Sequence, residues 1–219
     1  MAVITFSREF GSAGDQVADS VAESLGYPVV DKNLIEKVLL QYGMVQFDAV
    51  YGSEHGIWQK FDKEINRIVV MLNKTIQAFA RLENIIIVGR GAFAVLRGYP
   101  NVLNVSIREP FDKRTSRIMQ QKNLKEPDAI ELIRGQDQVR KSFLQTFYNI
   151  KEEHTEFFDL VIDTDTIPTE FAARWIVEAA NQIDQKEISH EVSTRSISVD
   201  HILQKTVSDT LKSFLRAAR

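Results

Sequence analysis

Apolar residues along the chain come in short continuous runs, alternating with stretches in which they recur every three or four positions. Residues 3–6, Val-Ile-Thr-Phe, read as a strand, and a turn of small residues follows it. Val17, Val21, Ala22 and Leu25 then take helical spacing up to Gly26, the expected stop. Residues 27–31 read as a short strand ending in a carboxylate, and 33–40 as a helix. Over 41–56 the pattern is lost around Gly43, Gly52 and Gly56, which predicts an irregular insertion. Phe61, Ile65, Ile68, Val69, Leu72, Ile76 and Phe79 restore the helical period over 57–82, a long amphipathic helix whose stripe is read as core. The β-branched run at 84–88 predicts a strand buried on both faces. A helix over 92–97, a turn at 98–101 and a strand over 102–107 come next. Two helices open at Pro110 and Pro127, followed by a further buried strand at 158–164 and a helix from Pro168 to about 183.

Strands that alternate with helices throughout predict an α/β fold, a parallel sheet with helices on both faces. Residues 1–183 make up that unit. Ser189, Ser193, Ser196 and Ser198 then mark a polar linker. Beyond it Val199, Ile202, Leu203, Val207, Leu211, Phe214 and Leu215 form an amphipathic helix ending in Arg216 and Arg219, so 184–219 reads as an appendage. Such a helix packs on its own domain or on a second subunit, and a homodimer contact is one expectation.

The 219 residues, 44% of them hydrophobic, supply a sizeable core. With 27 basic and 30 acidic side chains the formal net charge is −3, which argues against a general binder of nucleic acid or anionic membranes. Any phosphate site must therefore be local. The absence of cysteine excludes disulfides and thiolate metal sites and agrees with a reducing compartment. No signal-peptide core opens the chain and no apolar run is long enough to span a bilayer, so the expectation is a soluble, cytoplasmic protein. His55, His154, His190 and His201 are scattered, without metal-ligand spacing.

Chemistry concentrates where predicted strands end, the edge at which open α/β sheets bind ligands. Gly11, Ser12, Ala13, Gly14, Asp15 and Gln16 form a turn whose N–H groups can converge at a helix N-terminus, a setting that suits phosphate. Against the pattern G-x-x-x-x-G-K-[ST], this loop lacks the lysine and the magnesium-holding hydroxyl, and Asp15 stands at or beside the lysine position. The same glycines also suit an ordinary strand–helix connection. Arg8, just before the loop, is a candidate to swing in for the lysine, which would leave Asp15 to face magnesium. Asp31 either faces the same crevice or caps the next helix. Arg90, between Gly89 and Gly91 at a strand end, offers a planar fork for phosphate or carboxylate, or makes a salt bridge. Arg114 and Arg117 share one helix face, and Arg134, Asp137, Arg140 and Lys141 extend a basic face along the next helix. These side chains either close over a polyphosphate or form a solvated surface.

In order, SREFGSAG, GYPVVDKNLI, VGRGAFAVLRGYPNV, the arginine-bearing helices and FFDLVIDT resemble the bacterial cytidylate kinase-like family, relatives of the nucleoside monophosphate kinases. The resemblance covers about residues 1–183. It implies a three-layer α/β/α P-loop kinase-like fold with a helical lid at about 111–150. It also implies phosphoryl transfer from ATP, with Mg²⁺, to a nucleoside monophosphate or similar small acceptor. By position, residues 11–16 would cradle the donor phosphates, while Asp31 and Arg90 would meet the acceptor. Arg114, Arg117, Arg134, Asp137 and Arg140 would belong to the lid, with Arg8, Arg90, Arg134 and Arg140 as the catalytic cations. No magnesium ligand is assigned. The chain departs from the family pattern at Asp15, where relatives commonly have arginine, at Val139, and at Gly91, where true cytidylate kinases have aspartate. These departures keep open an alternative, a nucleotide-binding regulator that has lost transfer and acts through its C-terminal helix.

Overall fold

A computed structural model describes residues 1–44, 63–151 and 155–217; most of the expected insertion and the start of the helix expected over 57–82 lie outside the described residues. Five parallel strands, β1 (Val3–Arg8), β2 (Val29–Val30), β3 (Ile85–Val88), β4 (Val102–Arg108) and β5 (Leu160–Asp163), form one sheet in the order β2-β3-β1-β4-β5. Val3 pairs with Ile85 on one side and Val102 on the other, which aligns the carboxyl ends of the three central strands.

Alternation along these strands feeds two cores. Ile4, Phe6, Ile86 and Val88 point to a layer built from α1 (Gly14–Leu25) and α7 (Thr169–Asp184). Val3, Ile85 and Ile87 point to the other, built from α2 (Lys32–Gln41), α3 (Lys63–Ala80), α4 (Ala92–Val95) and α8 (His201–Ala217). Two further helices, α5 (Phe111–Lys122) and α6 (Glu126–Tyr148), join through a small core of their own, Ile118, Ala129 and Ile133, against which Phe10 of the β1–α1 loop packs. The loop and this helix pair are therefore mechanically connected.

One expectation changes, and one of two alternatives for the C-terminal helix is met. The strand at 158–164 is shorter and lies at the sheet edge: β5 pairs only with β4, and Val161 is 41% exposed. The C-terminal helix α8 turns its apolar face to its own domain, burying Leu203, Val207 and Leu211 in the same core as α2 and α3. The linker leading to it is pinned as well, since the buried Thr194 and Asn101 exchange two hydrogen bonds of 2.8 and 3.0 Å. Truncating a docked leucine leaves a cavity, so Leu203→Ala is expected to destabilise the protein by about 2–4 kcal/mol. Urea unfolding measures this, and a change near zero would show that α8 does not dock. Among the described residues no helix is long and apolar enough to cross a membrane.

Candidate active site

At the carboxyl edge of the sheet a cavity of about 490 Å³ opens between the β1–α1 loop, α2, the turn after β3 and the α5–α6 pair. Arg8, Lys32, Arg90, Arg117, Lys122 and Arg140 line it, against Glu9, Asp15 and Asp137. Among the described residues six cations facing three carboxylates make a local positive excess in a chain that is negative overall.

The loop itself is shaped around Arg8. A Cβ placed on Gly14 would lie 2.5 Å from Cβ of Arg8, and one on Gly89 would lie 2.9 Å from its Nη1. Arg8 thus threads a slot that two glycines keep open, from the first turn of α1 to the turn after β3. Its Nε donates to Oδ1 of Asp15 at 2.9 Å, with the carboxylate 70% exposed. An ion pair this exposed contributes about 0–1 kcal/mol, so an incoming anion can take Arg8 from Asp15 at little cost. Ser12 Oγ accepts from the Gly14 N–H at 3.3 Å, and no side chain caps α1. Burial, and then the charge of Asp15 one turn away, raise the Asp19 carboxyl above its ordinary value.

Arg90 is only 6% exposed and adopts φ +55° between Gly89 at +77° and Gly91 at +72°. Three successive left-handed residues turn the chain sharply after β3, and for an arginine that backbone costs about 1–3 kcal/mol. Gly91 cannot carry a side chain, because a Cβ there would sit 2.6 Å from Cε2 of Tyr148. The Arg90 guanidinium donates to Glu36 Oε1 at 3.1 Å, and Lys32 Nζ lies 3.5 Å from the same oxygen. Arg90 thus makes an ion pair, a nearly buried one rather than a surface one, and also lines the cavity.

The arginines of α5 and α6 divide. Arg140 reaches in and donates to Ser7 Oγ at 2.8 Å, at the end of β1. Arg117 grips both oxygens of the buried Glu109, one at 2.6 Å, and donates to the Gly11 carbonyl at 2.8 Å. Hydrogen bonding to Glu109 raises the Arg117 pKa further, so this guanidinium stays charged. Arg114 is instead buried between the two helices. It donates to the carbonyls of Glu109 and Phe10 and to Asp137 at 2.8 Å, which makes it a fastener of the helix pair rather than a cation facing the cavity. Asp137 lines the cavity while holding Arg114. Arg134 does not reach the cavity: its guanidinium lies 5.7 Å from the Phe111 ring centroid and borders a groove lined by Glu126 and Glu131. Asp31 caps α2, accepting from the Leu34 N–H at 2.9 Å, and is absent from the cavity lining. Gly11, Ser12, Ala13, Asp15 and Gln16 line the cavity, whereas Gly14 is buried at the start of α1.

Lys32, Glu36 and Glu109 were not singled out in the sequence. Lys32 directly follows the strand-end Asp31 and Glu36 comes four residues later, a spacing that places them on one helix face. Glu109 follows the end of β4, the same kind of position that marked Asp31.

Residues 3–166 match the cytidylate kinase-like family. A cytidylate kinase of Methanocaldococcus jannaschii is 24% identical over 192 residues, covering 86% of this chain and 98% of its own length. Among solved structures, an uncharacterized protein from Eubacterium ventriosum has a TM-score of 0.68 at 23% identity, covering 83% of this chain and 98% of its own, a likeness of fold.

Proposed function

We propose, since the chain belongs to the cytidylate kinase-like family, that it transfers the terminal phosphoryl group of ATP to a nucleoside monophosphate or a similar small acceptor. The observation that carries this reading is the slot of Arg8. A guanidinium lying between the phosphate-loop turn and Arg90 takes the place of the missing lysine, between the donor and acceptor ends of one cavity.

In this reading the N–H groups of residues 11–16 hold the donor phosphates. Arg8 leaves Asp15 and neutralises charge on the terminal phosphate, and Arg90 orients the acceptor. Arg140 and Arg117 bring positive charge from the α5–α6 lid as it closes, a lid that Arg114 keeps together. Catalysis is then a matter of position and of charge neutralisation, with no covalent intermediate. Magnesium when bound supplies further charge neutralisation on the phosphate oxygens. No group of three or more potential ligands exists among the described residues. The donor set still fits this ion, which keeps several waters and takes one or two carboxylates together with phosphate oxygens. Asp15, released from Arg8, is the carboxylate that would hold it.

The test is ADP formation from ATP and magnesium across a panel of nucleoside monophosphates and phosphorylated metabolites. Turnover with at least one acceptor is expected. Tight nucleotide binding without turnover on any of them contradicts the reading. Asp15→Asn discriminates further. Because its ion pair is exposed, stability should change by less than about 1 kcal/mol. If Asp15 holds the metal, kcat should fall about tenfold or more, the cost of weakening charge stabilisation in the transition state. An unchanged kcat would remove Asp15 from the metal's surroundings.

The regulator alternative rests on Asp15 and on the added segment 184–219. Leu203, Val207 and Leu211 of that segment are buried on its own domain, and the kinase reading is the one carried forward.

A further inference from the structure

The phosphate loop has little of its own to hold it. Between Glu9 and Gly14 the Ser12 N–H donates to the Glu9 carbonyl at 3.1 Å and the Gly14 N–H to Ser12 Oγ at 3.3 Å. Its firmer contacts run outward, to α5 and α6. The Phe10 side chain packs against Ile118, Ala129 and Ile133, the small core that joins the two helices. The Phe10 carbonyl accepts from Arg114 at 2.9 Å, and Asp137 of α6 holds that guanidinium at 2.8 Å. The Gly11 carbonyl accepts from Arg117 at 2.8 Å, and Glu109 holds Arg117 in turn. Gly11 lies so close to α5 that a Cβ on it would meet Cγ1 of Ile118 at 2.8 Å. Because the peptide group is planar and trans, the Gly11 N–H points opposite to the Phe10 carbonyl, and the Arg114 bond therefore sets the direction of a donor in the loop.

We infer that the α5–α6 pair shapes this loop for a polyphosphate chain, and that Phe10 is the positioning residue through which it does so. With the ring seated in the helix-pair core, the loop is ordered before the ligand arrives. Without it, the two arginine–carbonyl bonds alone must order the segment, and the ligand bears the rest of that cost when it binds. Loop and helix pair are then one unit, so a change of packing at a residue that never meets the cavity is felt as a change in affinity for phosphates. Ile133 is such a residue, buried in the same core and absent from the cavity lining. The donor as the source of the polyphosphate rests on the kinase reading, whereas the shaping of the loop does not.

The experiment is calorimetric titration of the full-length protein with a non-hydrolysable ATP analogue and magnesium, and separately with inorganic triphosphate, alongside hydrogen exchange of the unliganded protein. Phe10→Ala is expected to weaken binding of both probes about tenfold and to speed exchange across residues 10–16, while β3 and β4 keep their wild-type exchange. Phe10→Leu, which refills the core without an aromatic ring, should return affinity to within about threefold of wild type. Ile133→Ala should weaken binding in the same direction as Phe10→Ala, by about threefold or more. A structural role alone would loosen the sheet together with the loop. Direct stacking of the ring on a nucleobase would spare triphosphate and leave Phe10→Leu as weak as Phe10→Ala. Either pattern overturns the proposal, as does a wild type that binds neither probe, or Ile133→Ala without effect on binding in a protein folded by circular dichroism. Analogue binding without turnover on any acceptor contradicts the kinase reading and leaves the shaping of the loop to be decided by these variants.

Discussion

Arg90→Ala is expected to lower kcat/KM for the acceptor by about 10²–10³-fold, the loss that follows when a preorganised charge is removed from a transferring group. The side chain is 6% exposed, held at 3.1 Å by Glu36, and set on a left-handed backbone between two left-handed glycines. None of that strain is needed to close a turn with a surface residue. It makes physical sense when the guanidinium must be delivered to one place. Arg90→Lys should recover little, because an ammonium is a point charge on a flexible stem and cannot reproduce a planar fork held from one side by Glu36. The alanine variant also takes from Glu36 its nearly buried partner, while Lys32 stays 3.5 Å from the same oxygen, so part of the effect is on stability: about 1.5–3 kcal/mol, the loss of a charged hydrogen bond. Thermal unfolding of the same preparation separates the two. Assayed at a temperature where the variant is folded, the activity loss should persist. Activity within a few-fold of wild type would remove Arg90 from the reaction.

Gly14→Ala is expected to lower kcat/KM for ATP by about 10²-fold without changing any charge in the protein, since small displacements of a positioned group have effects of that size. A methyl at position 14 would meet Cβ of Arg8 at 2.5 Å and its Cγ at 2.9 Å. Backbone or arginine must then move, and α1 starts at this residue, so the helix end that would face the phosphates moves with it. Arg8→Gly supplies the comparison. It removes the cation together with the Cβ that the methyl would meet, so in the double variant Gly14→Ala should add little further loss. Independent, fully additive losses would mean that the contact between residues 8 and 14 has no part in donor binding.

Much of the sheet was legible because buried parallel strands announce themselves as β-branched runs: Ile85, Ile86 and Ile87 are all fully buried, as the sequence pattern predicts. β5 was misplaced for a related reason. Its run of apolar residues reads like that of a central strand, and only the sheet order reveals that among the described residues nothing pairs beyond it. The amphipathic pattern of α8 is the same whether its partner is α2, α3 or another chain, so the helix was visible while its docking was not. Among the candidate site residues, Arg8, Arg90, Arg117 and Arg140 line the cavity, and the loop from Gly11 to Gln16 bounds it. Arg114 and Arg134 do not, because spacing along a helix assigns residues to a shared face but does not say how that helix is rotated about its axis. The hinge between α5 and α6 sets that rotation and turns Arg114 into the interior. The pairing of Arg8 with Asp15 spans a tight turn and became legible only once the loop had a shape. It also gives the departure at Asp15 a physical role, as a weakly held counter-ion for the arginine proposed to stand in for the lysine.

The most direct measurement is a crystal structure of the protein with magnesium and a non-hydrolysable ATP analogue. The expected result places the terminal phosphate within about 2.7–3.2 Å of the Arg8 guanidinium and of loop N–H groups, with Arg8 no longer bonded to Asp15. Phosphates bound away from residues 11–16, with Arg8 still on Asp15, would contradict the assignment of this cavity to phosphoryl transfer.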